Sequence, residues 1–195
     1  HGQGREDLQR ATELLARDGT GWNIVDDVKA RGVTDPGVLG AMRMYWRDRF
    51  FTNEYLRHDQ PVEGSPEFVR ACHDRGALCY YLTGRDAPNM RAGTEESLRR
   101  HGFPMDHRTH LHMKGSFEDD DFTFKQGTLL ELRKLGEVVG VFENEPTNAN
   151  LLHRSFPDAI AVFLETIHSP GAPTVDASIY RVKDFLLQNL MEEIR

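Results

Sequence analysis

A chain of 195 residues is long enough for one sizeable domain, or a core plus a small insert, without staples, and its two cysteines, Cys72 and Cys79, give no disulfide framework. Lysine and arginine number 24 against 31 aspartates and glutamates, a formal net charge of -7 with no dense basic patch, which argues against a nucleic-acid surface and stays compatible with a small phosphorylated substrate carried with a divalent cation. No apolar run approaches the ~18 residues of a membrane span and no signal-peptide pattern opens the chain, so a soluble, cytoplasmic protein without a membrane partner is expected; its oligomeric state is not legible.

Residues 1–60 read as helical. Leu8, Ala11, Leu14 and Leu15 make one face of a first helix, and Ile24, Val25 and Val28 a short second one. From Asp35 a longer helix carries Val38, Leu39, Met42, Tyr45, Trp46 and Phe50 at spacings of three and four; core is the ordinary fate of such a face, and a cap over a substrate the functional alternative. After Pro61–Gly64 the pattern changes to alternating helix and strand. Ser65, Pro66 and Gly76 bound a helix over about 66–75, which feeds an apolar strand at 77–82. Thr94 opens a helix closed by Arg99, Arg100, His101 and Gly102. A short strand near 109–113, a helix from about Lys125 to Leu135 closed by Gly136, and a strand at 137–142 follow. Pro146 opens another helix, 159–164 makes a strand, and Ile179, Val182, Leu186 and Leu190 space a final amphipathic helix. This alternation argues an α/β fold, a doubly wound parallel sheet over 61–195 with the helical stretch 1–60 as a small cap.

Chemistry-bearing residues gather at strand ends, where open α/β sheets bind ligands. The strand at 77–82 runs into Thr83-Gly84-Arg85, a hydroxyl, a closely approachable backbone N–H and a guanidinium suited to a phosphate. Lys125 opens a helix after the acidic run Glu118–Asp121, where it can neutralise a transferring phosphoryl group or simply be a surface lysine. Glu143, Asn144 and Glu145 follow the next strand as hard oxygen donors suited to Mg²⁺, or as an acidic helix N-terminus. His110 and His112 share a strand face without a third zinc ligand nearby, and the Glu118–Asp121 run reads as a solvated loop.

Taken in chain order, these features resemble the haloacid dehalogenase-like superfamily, mostly phosphatases. A strand ending in Thr-Gly is similar to its second motif, a lysine to its third, and Val141-Phe142-Glu143-Asn144 to its acidic fourth. The resemblance covers roughly 61–165. It implies that Thr83 and Gly84, with Arg85 beside them, hold the phosphate; that Lys125, with Lys114 as the competing assignment, balances its charge; and that Glu143 and Asn144, with Glu145 as a further candidate, hold Mg²⁺. Asn144 stands where many members have a carboxylate.

The family's nucleophile is the first aspartate of an Asp-x-Asp at the end of the first strand. Here Asp18-Gly19-Thr20 imitates only the tail of that motif, with Ala16 in the aspartate's place and a helical pattern before it. The strand and nucleophile are therefore expected upstream of His1, with the strand lying between those at 77–82 and 137–142. The expected function is Mg²⁺-dependent hydrolysis of a small phosphate monoester through an aspartyl-phosphate, with residues 1–195 alone inactive; the alternative is a catalytically inactive, phosphatase-like module that binds a ligand or a protein.

Overall fold

The computed structural model describes residues 23–186 together with Gln9, Gln188 and Asn189. The chain divides into two compact units, residues 1–51 and 52–195. The helix expected around Leu8–Leu15 lies outside the described residues.

In the first unit, α1 (Ile24–Ala30) starts where the Asn23 side chain accepts the Val25 N–H at 2.9 Å, and α2 (Pro36–Phe50) where Asp35 accepts the Val38 N–H at 2.8 Å with Pro36 at the first helical position. Val28, Val33, Val38 and Met42 form its core, with Ile24 and Leu39 against them. The longer apolar face read for α2 is thus buried only in its first half: Tyr45 is 62% exposed, and Trp46 stacks on Phe50 at 4.9 Å on the helix's own flank. Spacing of three and four puts residues on one stripe, and among the described residues the helix packed against it, α1, spans only seven residues.

The second unit is mixed α/β with parallel strands. After a 3₁₀ turn (Tyr55–His58) come α3 (Ser65–Asp74), β1 (Cys79–Asp86), α4 (Ala87–Arg100), β2 (Thr109–Lys114), α5 (Asp121–Leu135), β3 (Gly140–Glu143), α6 (Pro146–Ser155), β4 (Ile160–Leu164) and β5 (Tyr180–Val182). β1 and β2 pair in parallel, as do β3 with β4 and β4 with β5, giving one two-stranded and one three-stranded sheet. β4 is buried along Ala161–Leu164 and packs on both faces. Ala161 and Phe163 meet Ala149, Val175 and Ile179, whereas Val162 and Leu164 meet Val182, Val62, Phe68 and Phe185.

Two helices reach both sheets. α3 packs on β1 while its Phe68 ring meets Phe142 of β3 at 5.1 Å; α5 packs on β1 while its Leu129 and Leu132 share a cluster with Val141. Val141 and Phe142 are adjacent in β3 and so point to opposite faces. Among the described residues β1 hydrogen-bonds only to β2 and β3 only to β4. β1 and β3 are less buried than β4: β1 is half-buried over Cys79–Arg85, and Phe142 is 38% exposed.

Three sequence expectations are corrected. Thr94 does not cap a helix but lies buried inside α4, which begins eight residues earlier at Asp86, whose carboxylate accepts the Asn89 N–H at 3.1 Å, with Pro88 in the first turn. Lys125 does not open its helix; Asp120 caps α5 through the Thr123 N–H and hydroxyl, placing Lys125 one turn further in. The segment from Ile179 to Val182 is not helical: Tyr180–Val182 is the strand β5, since an exposed edge of β4 offers β-branched residues a hydrogen-bonded ladder that an isolated helical turn lacks. Leu190 lies outside the described residues.

Candidate functional site

The carboxyl end of β1 carries a bulge. The register with β2 slips between Thr83 and Asp86, so that Asp86 pairs with Lys114, and bulges re-aim side chains at strand ends. Within it the Thr83 hydroxyl accepts the Arg85 N–H at 3.3 Å. Arg85 reaches sideways: its guanidinium donates to Asp59 at 2.5 Å and to Thr94 at 3.5 Å. Expected beside the phosphate, its guanidinium is paired here with the Asp59 carboxylate. Asp86 is 1% exposed, and its Oδ2 accepts the Asn89 N–H and side-chain amide.

The first turn of α5 closes over this bulge. A Cβ on Gly84 would lie 2.8 Å from the Asp121 Cγ and 3.0 Å from Oδ1, so a side chain at this position would push the carboxylate out of its present place. Asp121 is in turn held by Lys114 at the end of β2, whose ammonium donates to Asp121 Oδ1 at 2.8 Å, the Asp119 carbonyl at 2.9 Å and the Phe117 carbonyl at 3.4 Å. One turn further along α5, Lys125 donates to Glu143 Oε2 at 2.5 Å, with both side chains about nine-tenths buried. Glu143 Oε1 accepts the N–H groups of Asn144 and Glu145, at 3.0 and 3.1 Å.

The structure thus brings Lys125 and Glu143 together, and sets Gly84 under the α5 turn preceding Lys125. Lys114 and Lys125 both approach the strand ends, each against a different carboxylate. Asn144 donates its side-chain amide to Thr166 at 3.0 Å, while Glu145 turns away to accept the Ser169 N–H and hydroxyl. As a Mg²⁺ site, Glu143 and the Asn144 amide oxygen fit in chemistry, being hard donors, and Mg²⁺ commonly takes only one or two carboxylates and fills the rest with water. A cation there has to share Glu143 with Lys125. Among the described residues no three His, Cys, Asp or Glu side chains converge as a metal site, which also leaves His110 and His112 without a third zinc ligand.

The acidic run Glu118–Asp121 is exposed, as the solvated-loop reading expects, and three of its carboxylates are also held in place. Asp119 accepts the Ser116 N–H, Asp120 caps α5 with the Thr123 N–H and hydroxyl holding its carboxyl below the usual range, and Asp121 pairs with Lys114. Asp121 is the residue that sequence reasoning missed; its signal is a carboxylate four residues before Lys125, on the same helix face. Along the outer flank of α5 lies a cavity of about 390 Å³ lined by His112, Phe124, Gly127 and Glu131 among others. Beside it, Tyr80 Oη and His112 Nδ1 hydrogen-bond at 2.7 Å, and burial, reinforced by the Glu131 charge, pushes the Tyr80 hydroxyl up to about 12.

No family model, no curated protein and no solved structure matches the chain.

Proposed function

We propose that the protein is a Mg²⁺-dependent hydrolase of small phosphate monoesters with a haloacid dehalogenase-like, doubly wound core. The observation that carries this is the buried Lys125–Glu143 pair at the end of β3, on the helix whose first-turn Asp121 lies against Gly84 of the β1 bulge, while β1 and β3 do not pair with each other among the described residues. Among the described residues β1 and β3 each keep one edge without a hydrogen-bonded neighbour, and α3 and α5 each pack on both strands, which supports a further parallel strand between them whose carboxyl end would arrive among these groups.

In this reading the Thr83 hydroxyl and the Gly84 N–H hold phosphoryl oxygens, and Lys125 balances the charge on them together with Lys114, whose partner Asp121 lies against Gly84, which is most of what phosphoryl transfer asks of a protein. Glu143 keeps the Lys125 ammonium oriented through Oε2, while its Oε1 is fixed by two backbone N–H groups. Glu143 and Asn144 would hold Mg²⁺, which when bound neutralises phosphoryl charge. The nucleophile is the first aspartate of an Asp-x-Asp on the inserted strand: its oxygen bonds to phosphorus as the P–O ester bond breaks and the second aspartate protonates the leaving oxygen. That aspartate then takes a proton from the water that cleaves the aspartyl-phosphate to release inorganic phosphate.

The test is hydrolysis of p-nitrophenyl phosphate by residues 1–195 alone and by the same chain preceded by an apolar strand ending in Asp-x-Asp. The first should be inactive and the second Mg²⁺-dependent, with turnover lost in Thr83→Val. Robust turnover by residues 1–195 alone, or none by the extended chain, overturns the assignment.

A further inference from the structure

Resting on that phosphate site, we infer that Asp121 is a specificity-determining residue: its carboxylate occupies the approach to Gly84, and only a ligand that outcompetes it for Lys114, a phosphomonoester dianion, enters.

The two halves of the Lys114–Asp121 pair are held very differently. Lys114 is 9% exposed in its side chain and fixed by two backbone carbonyls besides Asp121, so its ammonium stays in place if the carboxylate leaves. The Asp121 side chain is 57% exposed and stands in the first turn of α5, so a rotation carries its carboxylate into water at little cost. Gly84 confirms how close the approach is, because any side chain at that position would overlap the carboxylate. An incoming anion therefore meets an internal anion already placed on the Thr83-Gly84 bulge. A phosphomonoester dianion offers Lys114 twice the charge of the carboxylate it replaces. A phosphodiester monoanion offers no more than Asp121 does and also brings a second ester group, so it gains nothing from the exchange. Selectivity between the two arises from a competitor built into the helix rather than from the shape of the site.

The experiment is calorimetric titration of the 195-residue chain at pH 8 with inorganic phosphate as the dianion and dimethyl phosphate as the monoanion. Phosphate should bind the unaltered chain and dimethyl phosphate should not. Asp121→Asn should tighten phosphate by about tenfold, the scale of removing one nearby like charge, and should admit dimethyl phosphate. Asp121→Glu, which keeps the charge, should still exclude the diester. Phosphate binding that depends on Thr83 and Lys125 but is unchanged or weakened in Asp121→Asn overturns the inference and leaves the site. Absence of phosphate binding in both the unaltered chain and Asp121→Asn overturns the site reading and this inference with it. Circular dichroism of each variant establishes folding, which the two remaining acceptors of Lys114 should preserve.

Discussion

Replacing either member of the Lys125–Glu143 pair should be costly, and unequally so. In Lys125→Met, Glu143 loses its ammonium but keeps the N–H groups of Asn144 and Glu145 on Oε1, so the loss is that of one charge-assisted hydrogen bond, about 1.5–3 kcal/mol. In Glu143→Leu, Lys125 loses its one hydrogen-bond acceptor among the described residues while its side chain is 9% exposed, and the same two N–H groups lose theirs. Stranding a buried charge costs about 3–5 kcal/mol, a large share of the ~5–15 kcal/mol that holds a typical domain together. The double variant Lys125→Met/Glu143→Leu should be more stable than Glu143→Leu alone, since removing the stranded ammonium relieves the larger penalty. Urea unfolding followed by circular dichroism, with midpoints compared at a common slope, measures all three. Equal and additive losses of under about 1 kcal/mol in the two single variants would refute the claim that this pair is desolvated and coupled.

Three further outcomes are expected. Gly64→Ala should lower the melting temperature sharply and lose more than about 1 kcal/mol, because position 64 has φ +76° and a Cβ there would lie 2.7 Å from the Phe185 carbonyl carbon; an unchanged melting temperature would contradict this. Absorbance at alkaline pH should show Tyr80 ionising near 12; since its folded value lies above the usual ~10, the stability it contributes is present below pH ~10 and lost as pH rises toward 12, a slope that Tyr80→Phe should remove. Calorimetry with Mg²⁺ should show only weak binding to residues 1–195, lost in Glu143→Ala, because Glu143 is shared with Lys125 and Asn144 is neutral; tight binding would show a different ligand set.

What was legible in the sequence follows how local each cause is. β1 and β4 announce themselves as apolar runs, and α2 and α6 through Asp35-Pro36 and Pro146, because burial on two faces and helix capping leave marks within a few residues. The start of α4 was legible too, in Asp86-Ala87-Pro88, but the acidic pair after Thr94 imitates a helix start inside it. Ile179 and Val182 fit helical spacing equally well, and only the free edge of β4 decides for a strand. At the site, Glu143 was legible as a strand-end carboxylate, whereas Lys125 lies one turn inside α5 rather than at its start. The Arg85–Asp59 pair was not legible: Asp59 lies 26 residues earlier, and a guanidinium beside a glycine turn reads as an anion site until that carboxylate is seen. Asp121 was hidden because four consecutive acids look solvated, whereas Lys114 and Gly84 give one of them a fixed place.

The central proposal, that a further parallel strand belongs between β1 and β3, is tested most directly by amide hydrogen exchange along residues 79–83 and 140–143. In parallel strands alternate N–H groups point to opposite neighbours, so residues 1–195 alone should show every second amide of β1 protected by β2, every second amide of β3 protected by β4, and those between exchanging fast. With an apolar strand ending in Asp-x-Asp joined ahead of the chain, the fast amides on both strands should become protected together. Uniform protection along both strands in residues 1–195 alone, as direct β1–β3 pairing would give, contradicts the account.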